Sequence, residues 1–341
     1  RYSPDQPRYP AGSAEGGQWT GGTISPITAG STQPAAGREG IATTDPTRLD
    51  NLTDAYRAKL AAKLDEQFPG MTQEQLEANV EEQLKLALAD PNNAGQGWYE
   101  EAHAAAQQLA DDYGVSLETA TGMIAGMSPQ HNWGSNLAAS RYTAELLQAD
   151  PYINDADLSP ELSDQATNQL AGKGVVRGAW DGTRRLSDME PMEASAAIKA
   201  YDKAAGLQYV DDVNGKDYGV TWSCGLNGIS TAVTIYRGAS PDDVLGGHKV
   251  RSFYNNIYGG ADSNGSVTVD THAVSAALGE KVTAVDPRMG KIMASPSNRE
   301  FSTKGVYPMI ADAYRTVAVR YGMTPEDVQA MVWLQWRAAH P

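Results

Sequence analysis

Lys249 and Asp270 are the residues whose types and settings point most directly to chemistry. Lys249 follows the pair Gly246-Gly247, and glycines before a helix allow a sharp turn whose backbone amides can hold a phosphate. Asp270 follows a short β-prone run and precedes a helix that Gly279 ends. This setting predicts an N-cap, with the carboxylate at the positive end of the helix dipole. The amides and the dipole stabilise the charged form of such a carboxylate.

Together these two residues could cleave an N-glycosidic bond. Cleavage produces a cation at the anomeric carbon of deoxyribose, and Asp270 could stabilise that cation and position the attacking water. Lys249 could attack the same carbon and form an imine if burial lowers the pKa of its amine. Taken singly, an N-capping aspartate is more often structural and a helix lysine is more often solvated. Their occurrence together behind a glycine turn favours the catalytic interpretation.

Three motifs in this chain resemble, in their order, those of the helix-hairpin-helix DNA glycosylases. That superfamily carries a Leu-Ser-x-Gln segment, then a Leu-Pro-Gly-Val-Gly-type hairpin with a catalytic lysine after it, then a Val-Asp-Thr-His motif. The corresponding segments here are Ile124-Ala125-Gly126-Met127-Ser128-Pro129-Gln130, Leu245-Gly246-Gly247-His248-Lys249 and Val269-Asp270-Thr271-His272. The hairpin here lacks the family's proline and is shortened. The four-cysteine cluster of some members is absent, because Cys224 is the only cysteine.

The resemblance implies a role for each matching residue. Asp270 would stabilise the sugar cation, and Lys249 would be the nucleophile of a bifunctional enzyme. Gly246 and Gly247 would hold backbone phosphate, and Gln130 would fill the gap left by a flipped base. His248 and His272, beside the two key residues, would contact phosphate or tune the site. Gln130 follows a proline and could instead be a simple turn residue.

No metal or cofactor is predicted. His103 and His131 complete no zinc-ligand spacing, and one cysteine cannot form a four-cysteine cage. Trp133, Trp333 and Trp336 could stack on a base, but aromatic residues at helical spacing are more often core residues.

The elements that must position these residues are predicted to be helices. Helical apolar spacing recurs along the chain, with caps such as Thr72, Ser116 and Thr324 at the starts, and there is no βαβ alternation. Thr72 and Gln75 form a candidate capping box. The fold class is therefore mainly α, with a helix-hairpin-helix glycosylase-like domain behind a small helical module and a disordered tail.

Three segments are predicted along the chain. Residues 1–45 are rich in Gly, Pro, Ser and Thr and form a flexible tail. Their opening resembles a tail of tailed-phage head-morphogenesis proteins. Residues 46–95 form an acidic helical module, and residues 96–341 form the glycosylase-like domain, with an insertion at about 150–235. The stretch from about Tyr99 to Arg337 also resembles uncharacterised actinobacteriophage proteins.

The charge and hydropathy patterns limit the classes of partner that we expect for this protein. A net charge of −15 argues against a protein that coats nucleic acid. Residues 246–341, however, contain ten Lys or Arg and eight Asp or Glu, so the excess of acid lies upstream of the candidate site. No apolar run approaches the roughly eighteen residues of a membrane span, so no membrane partner is predicted.

These patterns support three hypotheses. The first is a phage-derived enzyme that flips a nucleotide and acts at its N-glycosidic bond or modifies the flipped base. It would bind DNA, would contact phage head proteins through the tail, and would act in the bacterial host cytoplasm or travel in the virion. The second is a non-enzymatic head or injected DNA-binding protein. The third is a DNA-damaging toxin domain.

Overall fold

The computed structural model describes residues 47–129, 132–210, 216–221, 223–260, 265–294 and 305–340. The predicted tail over residues 1–45 and the predicted gap-filling residue Gln130 lie outside the described residues.

The described chain is mainly α-helical, which confirms the predicted fold class; the helix-hairpin-helix detail stays a prediction. Its helices are, in chain order, α1 (Asp54–Gln67), α2 (Gln73–Ala89), α3 (Trp98–Tyr113), α4 (Leu117–Met127), α5 (Trp133–Ala149), α6 (Pro160–Ala171), α7 (Pro191–Ala205), α8 (Leu226–Tyr236), α9 (Pro241–Val244), α10 (His248–Gly259), α11 (Thr271–Leu278), α12 (Pro287–Ile292), α13 (Tyr307–Tyr321) and α14 (Pro325–Ala339). The short strands β1 (Tyr152–Asn154) and β2 (Asp181–Arg185) pair antiparallel, as do β3 (Gln208–Val210) and β4 (Asp217–Gly219). Within the described ranges, no helix combines the length and apolar character needed to cross a bilayer.

Side-chain caps begin several helices at the predicted residues. Thr72 accepts a hydrogen bond from the amide of Gln75 and so caps α2. The side chain of Gln75 donates to Asn79, however, so the reciprocal half of the predicted capping box is replaced by a contact along the helix. Thr324 caps α14, whose first residue is Pro325, as predicted.

The chain divides into two compact units, and this division differs from the predicted one. We call residues 101–245 the central unit. Residues 47–100 together with 246–340 are the terminal unit, which contains both Lys249 and Asp270.

The central unit is built on close contacts of α8 with α4 and α7. An added Cβ at Gly126 would lie 2.7 Å from the side chain of Thr231, so glycine is what lets α4 approach α8. Leu170 on α6 and Ile198 on α7 are fully buried. The predicted insertion at about 150–235 therefore contributes to this core.

The terminal unit has one hydrophobic core to which α1, α2, α11, α13 and α14 all contribute. Leu64 on α1 and Leu84 on α2 belong to the same buried cluster as Tyr314 on α13. The side chain of Asn79 also donates to the carbonyl oxygen of Ala277 at 2.9 Å. Residues 46–95 were predicted as a separate module. Instead, the described helices α1 and α2 share a core with the C-terminal helices, because two amphipathic helices alone cannot cover their apolar faces.

Candidate active site

Asp270 is the N-cap of α11, as its position in the sequence predicts. Its Oδ1 accepts hydrogen bonds from the amides of His272 at 2.9 Å and Ala273 at 2.8 Å. The preceding segment is buried and held by the hydroxyl of Tyr307, which accepts from the amide of Val269 at 3.0 Å. The local sequence thus places a carboxylate at the start of a helix, and Tyr307 holds the segment that precedes it.

Trp333 on α14 holds the second oxygen of this carboxylate. Its indole Nε1 donates to Asp270 Oδ2 at 2.7 Å. The carboxylate therefore accepts from three donors, two at Oδ1 and one at Oδ2. Donors on both oxygens fix its orientation as well as its position.

Lys249 lies in the first turn of α10 and is partly exposed. Burial lowers the pKa of Lys249, and the carboxylate of Asp270 opposes that shift. The ammonium also lies 5.9 Å from the ring centre of Phe253, one turn along the same helix. Lys249 and Asp270 thus lie in the same unit, and their charges interact. A lysine with a lowered pKa has a larger share of the neutral amine that can act as a nucleophile.

The glycine turn before Lys249 contains one residue that requires glycine. Gly247 is the N-cap of α10 with φ of 76° and ψ of 144°, a conformation that side-chain-bearing residues rarely adopt. Gly246 is exposed, and an added Cβ there would meet no atom within 4 Å. Gly247 caps α10 without a side chain, as a backbone anion site at a helix start requires. The phosphate role of the two glycines stays a prediction.

The two predicted histidines have different surroundings. His248 is 8% exposed, and its ring centre lies 5.3 Å from that of Tyr307. His272 is partly exposed, and its ring centre lies 6.3 Å from that of Trp333, with the two ring planes nearly perpendicular. Burial, helped by the positive charges of Arg337 and Lys281, lowers the pKa of His272 to about 3. Its imidazole is therefore neutral at physiological pH.

Arg337 is a further charged residue at this site. Its guanidinium carbon lies 4.4 Å from the ring centre of Trp333. Burial lowers the pKa of Arg337 to about 10, and Asp270 opposes the shift.

Arg337 is not among the site residues predicted from the sequence, and Trp333 is predicted there to be a core residue. Both stand off the buried stripe of α14 that contains Val332 and Trp336. An aromatic residue and an arginine four apart, outside the apolar face of their helix, are the signal that could have identified them.

Aromatic side chains stand near the lysine. The ring centres of Trp98 and Phe253, both partly exposed, are 6.3 Å apart. Tyr99 beside them is buried, and its hydroxyl donates to Gln329 Oε1 at 2.9 Å. Cationic, acidic and aromatic groups are thus combined in one unit. Among the residues that the structure describes, no group of three His, Cys, Asp or Glu is arranged to hold a metal ion.

Comparison with known proteins gives a family. No curated protein and no solved structure matches this chain. A family of unknown function, DUF7178, matches residues 63–184 and 213–340, a span that includes both Lys249 and Asp270. The chain belongs to the DUF7178 family.

Proposed function

We propose that this chain is a DNA glycosylase-like enzyme that acts on a flipped nucleotide at its N-glycosidic bond. One observation carries the proposal: a carboxylate fixed by three hydrogen-bond donors lies at a helix start in the same unit as Lys249, and its charge acts on that lysine. Both groups project from the starts of helices in the same unit.

Asp270 would act on the sugar. When the bond between C1′ and the base nitrogen breaks, its electron pair leaves with the base, which takes up a proton. The positive charge that develops at C1′ would be stabilised by the fixed carboxylate. Water then adds to C1′ and gives up a proton. Preorganisation matters here, because a carboxylate already held by its donors does not have to reorient during the reaction.

Lys249 would act on the abasic product. Its neutral amine adds to the aldehyde carbon C1′ of the opened sugar, and the aldehyde oxygen leaves as water. A carbon–nitrogen double bond remains between C1′ and Nζ. Borohydride reduces this imine to a stable amine, so the intermediate can be captured.

The surroundings of the pair support a nucleotide ligand. The start of α10, next to Lys249, would hold a backbone phosphate through its amides. The partly exposed rings of Trp98 and Phe253 are suited to stacking on a base. The role predicted for Gln130 stays a prediction, because this residue lies outside the described residues.

The tail would connect the enzyme to a phage. The opening of residues 1–45, about twenty residues long, carries the resemblance to head-morphogenesis proteins, so the proposal includes packaging in the virion and action in the bacterial host cytoplasm. Mass spectrometry of purified virions tests this part independently of the chemistry.

The decisive experiment is borohydride trapping on abasic DNA together with base-release assays on duplexes that contain different modified bases. We expect an adduct with the wild type, none with Lys249→Gln, and an unchanged amount with Lys281→Gln, a matched exposed lysine of the same unit. Asp270→Asn should abolish base release.

Other outcomes would redirect the assignment. DNA binding without release, adduct or altered base in any substrate would instead indicate a binding protein. Altered bases without release would indicate base modification. Nucleoside analysis of the products separates these cases.

A further inference from the structure

The helix α14 presents two different faces. Val332 and Trp336 belong to the hydrophobic core of the terminal unit, and Trp336 is only 3% exposed. Trp333 and Arg337 lie one turn apart, are partly exposed, and stand outside that core. Trp333 is thus a large aromatic residue whose contacts lie outside the core.

Three contacts define the position of Trp333. Its Nε1 donates to Asp270 Oδ2 at 2.7 Å. The guanidinium carbon of Arg337 lies 4.4 Å from its ring centre, and the ring centre of His272 lies 6.3 Å away with the two ring planes nearly perpendicular. The indole is therefore held by its neighbours while it holds the carboxylate.

This hydrogen bond is what orients Asp270 fully. The two α11 amides both bind Oδ1, and Trp333 supplies a donor on the other side of the carboxylate, at Oδ2. The Trp333 N–H donates to Oδ2 and partly neutralises the negative charge of the carboxylate. This charge raises the pKa of Lys249. Removal of the N–H would loosen Oδ2 and leave more of that charge to act on Lys249.

We infer that Trp333 is a positioning residue, which holds the Asp270 carboxylate in its working orientation, and that Arg337 keeps the indole in place. Because the reaction in question is that of the proposed function, its catalytic consequence rests on that function. The effect of Asp270 and Trp333 on the pKa of Lys249 can be measured without any DNA.

The first test is competitive acetylation of the full chain over a range of pH, with the labelling of Lys249 followed by mass spectrometry. Trp333→Phe removes the N–H and keeps an aromatic ring. We expect the pKa of Lys249 to rise, so that labelling of Lys249 at pH 8 slows about threefold. Asp270→Asn should shift labelling the opposite way. Trp336→Phe, which removes an indole of the same helix away from Asp270, is the matched control and should leave the Lys249 profile unchanged.

The second test is kinetic. For base release, Trp333→Phe should lower kcat about 10- to 100-fold with KM changed less than about twofold, because orientation and not binding is lost. Arg337→Gln should also lower kcat, by a smaller factor than Trp333→Phe. Trp336→Phe should leave both constants within about twofold.

The outcomes separate the two proposals. A Lys249 labelling profile of Trp333→Phe that equals the wild type, while Asp270→Asn shifts it, overturns the positioning role. A profile that neither variant shifts overturns it too, because Asp270 then does not act on Lys249. Shifted profiles without base release or adduct in the wild type support the positioning of Asp270 and overturn the glycosylase function. If Trp333→Phe does not fold, benzothienylalanine at position 333, which keeps the ring shape and lacks the N–H, gives the same comparison.

Discussion

At the scale of single residues, the site depends on how one carboxylate distributes its hydrogen bonds. Asp270 has two oxygens, and each faces donors: two amides at Oδ1 and one indole N–H at Oδ2. An asparagine has one acceptor oxygen, and its amino group donates. Asparagine can therefore satisfy the helix start or the indole, but not both.

This conflict predicts how Asp270→Asn affects stability. The variant should keep the N-cap, because asparagine caps helices well, and place its amino group against the Trp333 N–H. We expect a loss of about 1–3 kcal/mol in the free energy of unfolding, measured with urea. In Asp270→Asn/Trp333→Phe the conflicting donor is gone, so the combined loss should be smaller than the sum of the single losses. Additive losses would show that Oδ2 and Nε1 are not coupled.

His272 makes a second prediction at this scale, about acid stability. Its pKa in the folded protein is about 3, below the usual 6.5, mainly because of burial. As the pH falls below 6.5, His272 becomes protonated in the unfolded chain. In the folded protein it stays neutral until the pH approaches about 3. Stability is therefore lost as the pH falls through this window.

Replacement of His272 isolates that contribution. His272→Gln should remove about 1 kcal/mol of the stability change between pH 7 and pH 5, after allowance for the partial exposure of the ring. Urea denaturation at both pH values measures it. An unchanged pH dependence in the variant would show that His272 is protonated equally in both states.

At the scale of elements, the start of α10 controls where Lys249 lies. The chain enters this helix through Gly247 in a conformation of positive φ, while the neighbouring Gly246 is exposed and spatially unrestricted. Two adjacent glycines thus have different structural requirements, and they form a matched pair for substitution.

Alanine at each glycine separates backbone strain from the mere loss of glycine. Gly247→Ala should cost about 1–3 kcal/mol of stability, because alanine avoids this φ and ψ. Gly246→Ala should be neutral or slightly stabilising. Thermal denaturation checks both values. If the α10 amides bind phosphate, as proposed, fluorescence anisotropy should also show weaker DNA binding for Gly247→Ala. Equal effects of the two substitutions would mean that the turn does not need glycine at 247.

At the scale of the whole molecule, sequence neighbours are not always structural neighbours. Helices α1 and α2 complete a core with α11, α13 and α14, while residues 101–245 form a unit of their own. The helices that contain the candidate site thus depend on an N-terminal pair that lies far away in sequence.

A core substitution in α2 tests this dependence. Leu84 is fully buried, so Leu84→Ala should cost about 2–5 kcal/mol. Hydrogen exchange should then increase in α13 and α14 as well as in α2. Leu86→Ala, on the same helix at a position 48% exposed, is the control and should change stability by less than about 1 kcal/mol. Increased exchange confined to α1 and α2 would instead indicate the independent module that the sequence suggested.

Much of the local structure could be predicted from the sequence. The N-caps at Thr72, Ser116, Asp270 and Thr324 are made where predicted, because each cap binds an amide only two or three residues further on. The helical class likewise follows from apolar spacing, which a single helix already displays. Lys249 and Asp270 also lie at the helix starts where the sequence places them, and their catalytic roles stay predictions.

What the sequence by itself determined is therefore what a few neighbouring residues decide: helix starts, helix class and the identity of the central carboxylate. Only the tertiary structure joined α1 and α2 to the C-terminal helices, and only it brought Trp333 to Asp270 across 63 residues. Apolar spacing shows that a helix has a face to bury but not which partner covers it, since burial is non-directional. The indole that orients the carboxylate was placed by this packing, and no local pattern encodes it.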